Sequence, residues 1–297
     1  MPRGLDHIVH AVHDLDAAVA LYRDLGFQVG ARNVHPRQWG TQNHIIQFPG
    51  TYVELLALAD TADIAPHSSR QFSFGAFNRD FLAKRQGLSM FVLQGRGASD
   101  TDAFRRGGIS NFDLYSFERE AKRPDGTTVK VAFELAFASD PLAPDIGFFT
   151  SHHLHPENFW NPAFQKHRNS ALNVAGIVLV AEEPDRHRKF LTAFTDAVGT
   201  SKADGFIFRT PRGEIEIMAP EGFTHCFGVA APDTGQGARV AAIRFALADA
   251  SLLEAAPEQA GIAGLYSENA TIIGAEDAMG AVLIFEPAGG SPVDHGA

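Results

Sequence analysis

A single cysteine, Cys226, stands in 297 residues, so no internal disulfide can form. It reads as a small buried apolar residue rather than a nucleophile. Tryptophan and tyrosine are scarce, with 2 and 4 residues against 24 phenylalanines. So many rings line either a core or an apolar cavity, and pockets are few enough that the core is the better expectation. Positive charge is also short. Lys and Arg number 25 against 35 Asp and Glu, a net charge of −10 that argues against a general nucleic-acid or anionic-membrane surface. No apolar run reaches about eighteen residues, so no transmembrane helix is expected. The opening Met1 to His7 has no apolar signal run, and a cytoplasmic, reducing compartment is the expectation. Missing too are GxGxxG after a strand, GxxxxGK[ST], HExxH, CxxC and GxSxG. Nucleotide-phosphate cradles, zinc-protease helices and nucleophile elbows therefore have no support.

What is present is a repeat. LDHIVHAV (5–12) reads as a strand, and Asp14 as the N-cap of a helix whose apolar face carries Leu15, Ala18, Val19, Tyr22 and Leu25. Gly26 is its C′ stop. FQVGARNV, NHIIQF and TYVELLALA follow as strands, completing a β-α-β-β-β module near Ala59. LSMFVLQG opens a second copy, with a helix over Ser99 to Gly107, a hairpin around Pro124-Asp125-Gly126, and GFFTSHH (147–153) as its last strand. VAGIVLVAE opens a third copy. Pro184 starts its helix, Phe190, Ala193, Phe194 and Ala197 share one face, and Gly199 stops it. GFIFRT and GEIEIMAP are its strands. VAAIRFALA (240–248) opens a fourth, with a helix through Leu252, Leu253 and Ala256, then TIIGAED and AVLIFEP. Such a period governs the fold. The expected organisation is an N-terminal half over 1–154, a connection over 155–170 and a C-terminal half over 171–297. HPENFWNPAFQKHRNS, the connection, reads as an ordered brace between halves. Residues 60–80 are a second long connection, of the kind that serves as a lid or binding loop. The tail after Pro287 is expected to fray.

Within TYVELLALA sits Glu54, a carboxylate in a strand that otherwise reads as half-buried. Buried without a partner, it would cost several kcal/mol, roughly. Arg32 or Arg37 could pair with it.

LDHIVHAV and TYVELLALA, with the repeat they bound, resemble the vicinal oxygen chelate superfamily, and HPRQWGTQNHIIQF–GTYVELLALA resembles its glyoxalase-like branch. The resemblance implies an α+β fold in which four βαβββ modules form two curved, cup-shaped half-barrels of mixed sheet with helices outside. It also implies that the first-strand His7 and fourth-strand Glu54 bind a divalent metal inside the first cup, where Glu54 serves catalysis. Imidazole and carboxylate suit Fe(II), Mn(II), Ni(II) or Zn(II). The second module departs from the pattern, since Met90 stands at the place of His7. A third ligand would come from His152 or His153, which alternate across the strand. Register decides between them, and the alternation Phe148, Thr150 favours His152. In the C-terminal half Ala175, Ala242 and Ile284 stand at ligand places, and only Glu216 matches, so that cup reads as inert.

Around the first cup, Asn43 and Gln47 share a strand face and are candidates to orient a substrate, while Arg37 and Trp39 are candidates for its mouth. His10 and His13 read as bystanders, and a general base would come from the connection or from the second His of the pair. Two functions stay open. One is a divalent-metal lyase, isomerase or dioxygenase acting on a small substrate with vicinal oxygens. The other is a metal-free protein that binds or sequesters small molecules, which Met90 and the phenylalanines favour. A monomer or homodimer is expected, with no nucleic-acid or membrane partner.

Overall fold

A computed structural model describes residues 1–59, 63–122, 126–253, 261–266 and 269–289. The first module is β1 (Leu5–Ala11), α1 (Leu15–Asp24), β2 (Asn33–Val34), β3 (Thr41–Phe48) and β4 (Thr51–Leu58). Asp14 caps α1 by accepting from the Ala17 amide, and Gly26 follows its end at φ 86°. FQVGARNV is not a full strand. Only Asn33 and Val34 pair, with Asn43 and Gln42, while Phe27 turns into the core. After α2 (Phe74–Leu82) the second module runs β5 (Gly87–Gln94), α3 (Ala98–Arg106), β6 (Tyr115–Lys122), β7 (Thr128–Ala138) and β8 (Gly147–His153). Pro124 and Asp125 of the expected turn lie outside the described residues.

The connection carries α4 (Pro156–Phe159) and a 3-10 turn over Pro162–Phe164. The third module is β9 (Ala171–Val180), α5 (Arg188–Thr195), β10 (Thr200–Lys202), β11 (Gly205–Arg209) and β12 (Glu214–Met218). Pro184 opens a 3-10 turn before α5 rather than α5 itself. Asp196, in the left-handed region at φ 56°, ends that helix three residues before Gly199. Aspartate visits this conformation because its short polar side chain can bond locally. After α6 (Pro220–Phe227) come β13 (Arg239–Leu247), β14 (Gly264–Tyr266), β15 (Thr271–Ile273) and β16 (Val282–Pro287). Where the fourth helix was expected there is one 3-10 turn over Ala250–Leu252, with Ala256 outside the described residues, as is the chain from 290 onward.

Each module's first and last strands pair in parallel: β1 with β4, β5 with β8, β9 with β12, β13 with β16. First strands pair antiparallel within each half, β1 with β5 and β9 with β13. This gives two curved sheets in an α+β fold, joined through the Val240–Leu88 pair. The helices α1, α3 and α5 lie on the convex faces, where one large core mixes residues of both halves. A smaller apolar cluster lines each concave face. Among the described residues, no helix is long and apolar enough to cross a membrane.

Candidate functional site

The pleat sends every second residue of a strand into the cup. On β1 these are His7, Val9 and Ala11, while Ile8 and Val12 join the convex core. On β4 they are Tyr52, Glu54 and Leu56. A cavity of about 530 Å³, including its open mouth, is lined by His7, Tyr52, Glu54, Asn43, His35 and Arg119 among aromatic walls.

Asp6 should face outward by alternation, but a β-bulge intervenes. Leu5 pairs with Leu93 and His7 with Val92, leaving Asp6 as the extra residue. A bulge re-aims a side chain in this way. The Asp6 carboxylate meets His7 Nδ1 at 2.7 Å and His153 Nε2 at 3.2 Å. Burial alone would raise its pKa, but the charges and hydrogen bonds of His153 and His7 hold it at about 2. An ionised Asp6 can only accept, so His7 carries its proton on Nδ1 and turns the Nε2 lone pair inward. His7 also stacks on Tyr52 at 4.3 Å. Burial, followed by the charges of Asp6 and Glu54, holds the Tyr52 phenol well above its ordinary pKa.

Glu54 is 5% exposed, and its partner is an amide. Asn43 Nδ2 donates to Glu54 Oε1 and also lies 3.1 Å from His35 Nε2. Asn33 in turn donates to Asn43 Oδ1. His35 Nε2 must then accept, and Nδ1 donates to Thr41 Oγ1 at 2.8 Å. Burial lowers the His35 pKa, with Glu54 acting the other way. Oε1 of Glu54 is thus anchored, and Oε2 faces His7 Nε2 at 3.9 Å. Neither arginine proposed from the sequence pairs with Glu54. Arg32 binds Asp16, and Arg37 is exposed and lies 3.9 Å from Asp63.

His152 is not brought to this site. On β8 the inward residues are Phe149 and Ser151, so Thr150 and His152 face the other way. Thr150 bonds Asp100 of α3, and His152 bonds Glu134 at 3.2 Å and is 40% exposed. The register is one residue off the favoured choice. His153 continues the inward row, stacks on Trp160, and leaves its buried Nδ1 without a partner among the described residues. Trp39 lines the cavity between His35, Phe74 and Phe117, its Nε1 donating to the Tyr115 hydroxyl. Gln47 does not line it. Its amide holds the Phe159 carbonyl and the Asn161 amide, which ties the 155–170 connection to β3. Asp6, His35 and Arg119 were missed by sequence reasoning. Only Arg119 left a signal, the alternation Tyr115, Phe117, Arg119 in YSFEREAK.

A divalent ion needs at least three protein ligands or so to be held firmly. In the second module the counterparts of His7 and Glu54 are Met90 on β5 and Phe149 on β8, and both are apolar. The Asn43 amide fills the space between His35 and Glu54. Among the described residues, no group of three or more His, Cys, Asp or Glu could hold a metal ion. The residues present therefore do not fit a metal.

In the C-terminal cup Glu216, the counterpart of Glu54, pairs with Lys202 and lies 3.8 Å from Arg244. Arg244 also binds Glu214 and Glu286. These charges pair across that cup, which keeps a smaller cavity of about 300 Å³, including its open mouth.

The fold recurs in solved structures. A hypothetical protein from Staphylococcus aureus matches with a TM-score of 0.65 and 12% identity, over 96% of this chain and 99% of that one. A mutant of 4-hydroxymandelate synthase from Streptomyces coelicolor matches with a TM-score of 0.59 and 11% identity, over 98% and 95%. A halotolerant catechol dioxygenase matches with a TM-score of 0.57 and 11% identity, over 99% and 89%. At such identities these show the shared fold alone. No curated protein matches in sequence. A family model, the glyoxalase-like domain, matches residues 5–195, a span that contains the whole first cup with its His7 and Glu54. The chain belongs to the glyoxalase-like domain family, as the strands around His7 and Glu54 imply.

Proposed function

We propose that the N-terminal cup is an enzyme site that moves a proton on a small, carbonyl-bearing molecule with an apolar body, as an isomerase or lyase does, without a metal. One observation carries this reading. His7 Nε2 and Glu54 Oε2 lie 3.9 Å apart in the cavity wall, each on a group whose other polar atom is anchored, by Asp6 and by Asn43. A neutral imidazole nitrogen beside a carboxylate oxygen suits a proton in transit. In the simplest step a C–H bond beside the carbonyl breaks, its proton passes to His7 Nε2, and the electron pair stays on the substrate as an enolate. Asp6 stabilises the imidazolium that forms, and the Tyr52 hydroxyl, kept protonated, donates to the developing oxyanion. Return of the proton to the enolate oxygen, which gives the enol, or to the opposite face of the same carbon completes an isomerisation with no co-reactant.

The test is deuterium exchange in D2O, followed by NMR, on small aryl ketones such as phenylpropanone. The expected result is enzyme-dependent exchange that a chelator leaves unchanged and that His7→Ala lowers by about 10²–10⁴-fold, the usual scale of a positioned base. Exchange that a chelator abolishes, and Fe(II), Mn(II), Ni(II) or Zn(II) restores, would instead put a metal on His7 and Glu54. Ketone binding with no exchange would favour sequestration, which the apolar walls and Met90 also suit.

A further inference from the structure

Arg3, Arg239 and Arg244 are buried, and each has a carboxylate within 4 Å: Asp100, Asp145, and the Glu214, Glu216 and Glu286 group. Arg119 is different. It projects from β6, which pairs only with β7, at the far edge of the first cup from β4. The pleat turns Tyr115 and Phe117 inward against Trp39, and turns Glu118 outward to pair with Lys130. Arg119 follows Phe117 into the cavity wall. Its one hydrogen bond among the described residues is long, from Nη1 to the Glu120 carbonyl at 3.4 Å. No carboxylate among those residues lies within ion-pair distance of it. Burial lowers its pKa, while Tyr52 and Glu54 act on it through the field in the other direction. Guanidinium stays charged in proteins and presents five donors in a planar fork. Arg119 is half-buried in the cavity wall, and a planar carboxylate matches its fork with two parallel bonds.

The geometry points to a substrate class, and we infer that the first cup takes an arylalkyl carboxylate, its carboxylate on Arg119 and its ring among Trp39, Phe117, Phe133 and Phe149. The inference rests on the cavity being the ligand site proposed above, and it sharpens that reading. The two cups then differ in a way that serves function. In the second cup Arg244 is neutralised by the protein's own carboxylates, whereas in the first cup the cation on one wall is left for the ligand and the base sits on the other. A molecule held at Arg119 has its reacting carbon directed toward Glu54 and His7.

Calorimetric titration of the whole protein with 3-phenylpropanoate and with 3-phenylpropanamide tests this. The two probes share size and ring, and only one is an anion. The expected result is a preference for the carboxylate of about tenfold or more, typical of a charge-assisted bidentate pair. Arg119→Gln removes the preference, and Arg119→Lys, which keeps charge but not the fork, retains part of it. Arg37→Leu, on the exposed loop outside the cavity, leaves it unchanged. Melting curves establish that each variant is folded. Equal affinity for the two probes, no binding of either at millimolar concentration, or a preference that survives Arg119→Gln would overturn the inference. A carboxylate preference in a protein that exchanges no substrate proton would leave Arg119 in this role and remove the proton-transfer reading.

Discussion

His7 and His10 lie three residues apart on β1 and meet different surroundings. His7 faces the cavity. His10 is fully buried on the convex side, where Nε2 donates to the Met279 carbonyl at 3.1 Å and Nδ1 accepts from the Tyr22 hydroxyl at 3.0 Å. The neutral ring is thus satisfied on both sides. Burial holds its pKa down at about 4, against an ordinary 6.5, with the Met279 bond acting the other way. A lowered histidine pKa means that the unfolded chain gains a proton first, so stability falls as the pH drops from 6.5 toward 4. The shift corresponds to about 3 kcal/mol, to order of magnitude. His35 and His167, also lowered by burial, add slopes of the same sign. Urea unfolding at several pH values should therefore show stability declining through this window, and His10→Gln should flatten the decline. An unchanged slope in that variant would mean that His10 does not carry the effect. At this scale the sequence was legible where spacing alone sufficed. His7 and Glu54 stand at fixed places in a repeat, and His10 read as a bystander. It was not legible where one residue of register decides, as for His152 against His153, or where a bulge overrides alternation, as for Asp6.

Among the elements, α2 shows how a connection shapes the site. The 60–80 stretch reads in sequence as a long loop, yet Ser73 caps a helix by accepting from the Ala76 amide, and Phe74 from its first turn reaches the cavity. Gly75 lets that helix approach the Trp39 backbone so closely that a Cβ would collide with the Trp39 carbonyl oxygen. Gly75→Ala must therefore push α2 and the Trp39 wall apart. Overpacking of this kind costs about 1–3 kcal/mol, more than the helix propensity of alanine returns. The expected outcome is a lower melting temperature together with altered tryptophan fluorescence. A variant as stable as the wild type would show that the close approach is dispensable. The longer strands β3 to β8 and β11 to β13 were readable as apolar and β-branched runs bounded by turn residues, and in β4, β5 and β13 both faces are buried. The three-residue β10 and β14 were not, since so few residues carry no pattern and those of β10 are exposed, and β2 was read too long, over all of FQVGARNV.

Across the whole molecule, the two halves are bound by rings. Phe194 of α5, fully buried, lies 5.5 Å from Phe91 of β5, 5.6 Å from Phe104 of α3 and 5.5 Å from Phe148 of β8. Phe27, after α1, meets Phe245 of β13 at 4.9 Å and Phe285 of β16 at 5.9 Å. Each half thus completes the other's convex core. Composition raised the question of whether the phenylalanines serve core or cavity, and the chain uses them for both. A protein of this size can unfold in steps when its parts have separate cores. Here the shared core predicts one transition. Phe194→Ala should remove about 3–5 kcal/mol, the usual cost of deleting a buried phenyl group. Both tryptophans, Trp39 and Trp160, stand outside the C-terminal modules. The loss of Phe194, a C-terminal residue, should nonetheless shift the tryptophan transition and the far-ultraviolet circular dichroism transition together. If the tryptophan signal keeps its wild-type midpoint while circular dichroism gains a second step, the halves fold separately. The first cup would then hold its shape without help from the second. If both shift together, the C-terminal half, in whose own cup Arg244 is paired with carboxylates, earns its place as the backing on which the first cup's strands are fixed.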